Sequence, residues 1–311
     1  MKEANKLTEG ALFTAVYTVL LLFFLLIPFI LVLLPVPFIV YTKRHDYGPG
    51  IVMLIATSIF TFLFATVVTL PVTLLAGIGG IVIGSLLYRG KKPYELWAQG
   101  TLGFVISLII ILLILQFVMD INIYQVTEEF IEQSIAMTES TLQTLQIPLE
   151  GDEFSLIEEQ LKSLPDLLPA SIATTSIFLA LATIWISFKV LNRIEQANYR
   201  FPPFRSFSLP RSIIWLYIIA LFTTIFTMES NETLFIAANN VSILLMILFV
   251  IQGFSFVFHY AYVKKWQPAI PYLLLVVSLL IPFLSMIIVR FIGIIDLLID
   301  LKGRVTEVKG N

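Results

Sequence analysis

Charged and apolar positions separate sharply along this chain. No Asp, Glu, Lys or Arg occurs in the windows Gly10–Thr42, Tyr47–Tyr88, Leu96–Met119, Leu167–Phe188, Ser212–Met228, Thr233–Val263 and Trp266–Val289. A helix needs about 20 apolar residues to cross a bilayer's hydrocarbon core, and six of the seven windows reach that length. The pattern predicts an all-α polytopic membrane protein with about 8–10 transmembrane or half-spanning helices in one bundle.

Prolines subdivide the longer windows. The first, 33 residues long, holds "IPF" and "LPVPF". Proline breaks helices, so a full helix over 11–27 and a short broken return over 29–41 are expected. The second has Pro71 near its middle and predicts helices over 51–69 and 72–88. Further crossings are expected at 97–119, 169–188, 212–228 and 233–263. At the C-terminus two readings stand. The chain either ends after one crossing or breaks at Pro282 and returns through 284–300. Basic tail residues favour the return, which then carries Arg290 and Asp296 at depth.

The sequence "AGIGGIVIGS" (76–85) holds four glycines in ten positions. Such a helix is poor in water, where each interior glycine costs about 0.8–1 kcal/mol against alanine. In lipid the backbone keeps its hydrogen bonds, and small residues let helices approach closely. Ala76, Gly80 and Gly84, four apart, predict a helix-packing ladder.

Basic residues in short loops stay cytoplasmic. Lys43, Arg44, Arg89, Lys91, Lys92, the loop 189–211 and Lys264–Lys265 are therefore placed inside, together with the N-terminus. Segment 120–168 carries eleven acidic residues and one lysine, Lys162, and is placed outside the bacterial plasma membrane. Phe154, Ile157, Leu161 and Leu164 recur there at helical spacing, and Tyr124, Ile131, Ile135, Leu142 and Leu145 form a looser stripe. Both predict amphipathic helices at the surface. The expected division is 1–119, 120–168 and 169–311. Loop 189–211 is basic and aromatic, which suits contact with anionic lipid headgroups or a partner.

Chemistry-bearing residues are few. The chain has no cysteine and two histidines, which excludes thiolate and histidine-rich metal sites, and no cofactor is implied. A net charge of −2 gives no reason to expect nucleic acid. "GIGG" lacks the lysine and the strand–helix context of a phosphate loop. Neither HExxH nor GxSxG occurs, so an enzyme is not expected. Intramembrane polar residues remain the candidates. Gln116, Asn239 and Asn240 are candidate substrate-binding residues near the outer helix ends. Gln252, Ser255 and His259 share one helix face, and Asp296 and Asp300 lie one turn apart.

Three segments carry a family resemblance: "LTEGALFTAVYTVLLL" (7–22), "LPVPFIVYTKRHDYGPG" (34–50) and "GIIDLLIDLKGR" (293–304). The chain resembles the YybS family, uncharacterised membrane proteins common in Firmicutes. That family is distantly similar to the six-helix substrate-binding S components of energy-coupling factor vitamin transporters. The resemblance implies small-molecule binding or transport. It also implies that Ala11 and Ala15 form a face that meets a membrane coupling subunit. The alternative reading is a non-transporting scaffold or regulator in envelope or sporulation processes, acting through membrane-protein partners.

Overall fold

The computed structural model describes residues 2–145, 152–228 and 230–307. Helices and short turns make up the regular structure of these residues, with no strand among them. Among the described residues, six helical segments are long and apolar enough to cross a membrane, so this is a polytopic all-α membrane protein.

The helices gather into two compact units, 1–200 and 201–311. The sequence pattern placed divisions at 119 and 168 instead. The difference has a packing reason. Helices α1 (Lys2–Phe24), α2 (Pro35–His45), α3 (Tyr47–Phe64), α4 (Leu70–Tyr88) and α5 (Pro93–Val118) are followed by α6 (Ile123–Thr144), α7 (Asp152–Lys162) and α8 (Leu168–Glu195). The last of these packs back on α5 and α2. The Trp97 indole donates to the Ile177 carbonyl at 2.9 Å, tying α5 to α8. The polar insertion thus interrupts a single unit in sequence only.

Within this first unit α2 is the central element. Pro35 to Thr42 are all buried. Pro35 starts the helix, where its missing N–H costs nothing, after the broken turn Pro28–Leu33. The Thr183 hydroxyl on α8 donates to the Val32 carbonyl of that turn at 3.3 Å, satisfying a backbone group that lipid could not. Tyr17, Leu21, Phe38, Tyr41 and Met53 form the adjoining core. A chain of hydroxyls crosses it. Tyr17 donates to Thr73 at 2.9 Å, and Thr73 lies 2.9 Å from Thr61.

The glycine stripe of α4 lies against α2. A Cβ on Gly80 would stand 2.8 Å from the Pro35 carbonyl oxygen, and one on Gly84 2.8 Å from that of Ile39. Ala76 is buried in the same core. Backbone meets backbone here because no side chain intervenes.

In the polar segment, Asn122 caps α6 by accepting from the Tyr124 and Gln125 backbone N–H groups. Ile131 and Ile135 are buried while Tyr124 and Leu145 are exposed. The side chains of Phe154 and Ile157 lie outside the described residues.

The second unit contains α9 (Ser212–Thr227), α10 (Glu232–Val263), α11 (Ala269–Leu280), α12 (Pro282–Ile299) and α13 (Leu301–Glu307). The chain breaks at Ile281, and Pro282 opens α12. Of the two C-terminal readings, the one with a break at Pro282 describes the backbone. Helices α10 and α12 cross at Gly253 and Gly293, each of whose missing Cβ would collide with a carbonyl of the other helix.

Candidate functional site

The face of α1 that carries Ala11 and Ala15 lines a groove of about 540 Å³ against α3. Gly10, Thr14 and Thr18 continue this wall, and Val52, Met53, Ala56 and Phe60 form the opposite one. Small residues recur on this face of α1 at helical spacing, so their side chains leave the space between the two helices unfilled. The groove is apolar apart from the hydroxyls of Thr14, Thr18 and Tyr41.

An ionic cluster sits at the Tyr41 end of this region. The Glu9 carboxylate on α1 accepts from Arg44 and lies 2.7 Å from His45 Nε2. Glu195 at the end of α8 accepts from Lys43 and from Arg44 Nε at 2.8 Å. Lys43, Arg44 and His45 fill the last turn of α2, where cations complement the helix dipole. Arg44 therefore joins α1, α2 and α8. The Tyr41 hydroxyl donates to the Lys6 carbonyl at 3.1 Å and closes over Gly10. The next residue, Asp46, has φ 67 and ψ −178, a region that essentially only glycine occupies without strain.

Gln116 lines a second cleft of about 410 Å³, with Ile109 and Leu112 of α5, Tyr124 of α6, and Pro169 and Ile172 of α8. Asn239 and Asn240 belong to the other unit. Asn240 is buried and donates to the Ile236 carbonyl of its own helix at 2.8 Å, and Asn239 is half-buried. Gln116 thus belongs to the first unit and the two asparagines to the second.

The polar face of α10 meets the end of the chain. Gln252, fully buried, donates to Asp296 at 2.6 Å and accepts from the Leu209 N–H at 3.0 Å. The Ser255 hydroxyl lies 2.8 Å from the carbonyls of both Phe204 and Phe207. Lys302 donates to the Phe207 carbonyl at 2.5 Å and to Ser255 at 2.8 Å, with Asp296 at 3.6 Å. His259 Nε2 lies 3.0 Å from the Thr306 hydroxyl. Burial lowers the Lys302 pKa below the ordinary lysine value, outweighing the Asp296 carboxylate. Asp300 faces Arg211 at 3.6 Å. Arg205 of the basic loop stacks over Tyr262 at 3.7 Å. Among the described residues, no three His, Asp or Glu side chains gather as a metal site would require.

Sequence reasoning found the shared face of Gln252, Ser255 and His259 but not its partners. It missed the roles of Glu9 and Glu195 altogether. Glu9 is a single carboxylate at the edge of an apolar window and Glu195 lies in the basic segment seven positions past one, and sequence position alone does not show that both reach one arginine.

A family model described as "Predicted membrane protein (DUF2232)" matches residues 15–297. The uncharacterized protein YybS of Bacillus subtilis (strain 168) is 26% identical over 310 residues, covering 98% of this chain and all of that protein. No solved structure matches. The charges quoted from the first two resemblance segments, Glu9 and Lys43–Arg44–His45, form the ionic cluster. Those of the third, Asp296 and Lys302, form the buried network of the second unit. The chain belongs to the DUF2232 family of predicted membrane proteins.

Proposed function

We propose that this chain is a small-molecule-binding, transport-related membrane subunit resembling an energy-coupling factor S component. It lies in the bacterial plasma membrane with its N-terminus cytoplasmic and 120–168 outside. The observation that carries this reading is the groove beside Ala11 and Ala15, an uncovered apolar trough on α1. An S-component-like chain would use that trough to meet its coupling subunit. Two further features support it. The first unit gathers five apolar helices of spanning length, α1, α3, α4, α5 and α8, around the short buried α2. The cleft at Gln116 has the volume of ordinary small-molecule sites, about 300–1,000 Å³.

The test has two arms. Purified protein is melted with a panel of vitamins and metabolites, and binding at 100 times Kd adds about 2.7 kcal/mol of stability. Ala11→Leu with Ala15→Leu fills the groove and should abolish co-purification of a membrane subunit while leaving any ligand shift intact. No ligand shift and unchanged partner recovery together reject the proposal.

One observation favours the scaffold reading. The buried polar side chains of the second unit mostly bond within it: Gln252 at both ends and Asn240 to its own helix. Under that reading a defined partner is retrieved and no small molecule shifts melting.

A further inference from the structure

Helices α10 and α12 run parallel where they meet. Met246 faces Arg290 and Gln252 faces Asp296, both pairs 44 positions apart. The backbones touch at Gly253 and Gly293. Toward the start of both helices from this crossing lie two polar groups with nothing to bond. Arg290 Nε and Ser242 Oγ are each buried without a hydrogen-bond partner, and Ser242 is 3% exposed. Ser242 stands one turn before Met246, about 5–6 Å between Cβ atoms. The Met246 sulfur accepts from Arg290 Nη1 at 3.0 Å. Helical side chains lean toward the helix N-terminus, so Met246 and Arg290 both lean to the side of Ser242. Asn239, half-buried, continues the same face of α10 three positions earlier.

The missing partner is an anion. Met246 is the fifteenth of 32 residues in α10, so the guanidinium stands near the middle of a spanning helix. A charge there normally finds an opposite one. A thioether is a weak acceptor, and the Phe291 ring centroid lies 5.4 Å away. Neither contact neutralises the arginine. Among the described residues no carboxylate pairs with it. Asp296 is occupied by Gln252 and Lys302, Asp300 faces Arg211, and Glu232 opens α10 fourteen positions before Met246. A bridging water would bond both orphaned groups and leave the charge unpaired. Met246 takes Nη1 only. The edge formed by Nε and Nη2 presents two parallel N–H bonds, which match the two oxygens of a carboxylate. The Ser242 hydroxyl adds a third donor.

We propose that Arg290 and Ser242 form a binding site for a small organic carboxylate between α10 and α12. One positive charge selects a singly charged anion, whereas a phosphate monoester brings about −1.5 to −2. The site lies in the second unit and does not rest on the groove or the cleft of the first. Arg290 and Ser242 line neither, so failure here leaves that reading to its own test.

The full-length protein is melted in nonionic detergent with acetate, benzoate or octanoate replacing chloride at constant ionic strength, and with acetamide or benzamide as neutral counterparts. Acetate or benzoate should raise the melting temperature and the amides should not. Arg290→Gln should weaken the apparent Kd at least about tenfold. Ser242→Ala should weaken it severalfold yet melt no lower than wild type without ligand, because it deletes a buried hydroxyl that bonds nothing. Acids that shift melting no more than their amides overturn the proposal, and wild type alone decides that comparison. An acid response that survives unchanged in Ser242→Ala or Arg290→Gln also overturns it. So does a response to octanoate alone, which would assign the arginine to a lipid-derived acid.

Discussion

Gln252 donates to Asp296 across the α10–α12 crossing at 2.6 Å, with both side chains buried. The same carboxylate accepts the Lys302 backbone N–H at 3.0 Å and faces the Lys302 ammonium. One acid thus holds two helices and the start of α13. Breaking a buried charge pair on one side leaves the other charge uncompensated and costs about 3–5 kcal/mol. Asp296→Ala should therefore melt far below wild type in mild detergent. Asp296→Asn, which keeps an acceptor for Gln252, should fall between. Equal melting of all three proteins rejects the network.

Lys302 gives that network a pH dependence. Its folded pKa lies below the unfolded value of 10.5 because burial disfavours the ammonium. The unfolded chain therefore binds the proton more tightly. Stability is lost as pH falls through the lowered pKa and is regained as pH rises toward 10.5. The melting difference between wild type and Lys302→Met should move in favour of wild type across that alkaline window. A difference that moves the other way contradicts the assignment.

Gly80 and Gly84 tolerate no side chain. Alanine at either position would press on a carbonyl of α2 at 2.8 Å, and overpacking of this kind costs about 1–3 kcal/mol. Gly48, at the start of α3, has open space beyond its chain neighbours, but it precedes Pro49, which disfavours the helical region for a residue with a Cβ, so Gly48→Ala should cost less than either of the other two without a gain. Melting curves of the three single variants settle the contrast.

Asp46 holds a glycine-like conformation between α2 and α3. Its Oδ1 is also buried without a partner. Relief of such strain is worth about 1–3 kcal/mol. Asp46→Gly should raise the melting temperature, while Asp46→Ala should not. If both variants destabilise equally, the carboxylate matters more than the backbone.

The topology has a direct readout. A reporter fused after Leu145 should register as external, and one inserted in the 189–211 loop as cytoplasmic. Two internal signals would require a different assignment of the charged segments.

Much of this protein is decided locally. Bilayer crossings follow from unbroken apolar windows because lipid leaves the backbone no solvent to bond with. The breaks before Pro35 and at Pro282 follow from a ring that cannot continue a preceding helix. The small face of α4 follows from the spacing of Ala76, Gly80 and Gly84. Which helix fills that face does not follow, and α2 was chosen by packing between distant segments. The same holds for the ionic cluster, whose members Glu9, Arg44 and Glu195 are joined only when α1, α2 and α8 converge. It holds too for Asp296, whose nearest charge in sequence, Asp300, is not its partner. A side chain's tolerance for lipid is a property of its own chemistry and can be read one residue at a time. Its partner depends on how rigid helices settle against one another, and only the folded arrangement contains that information.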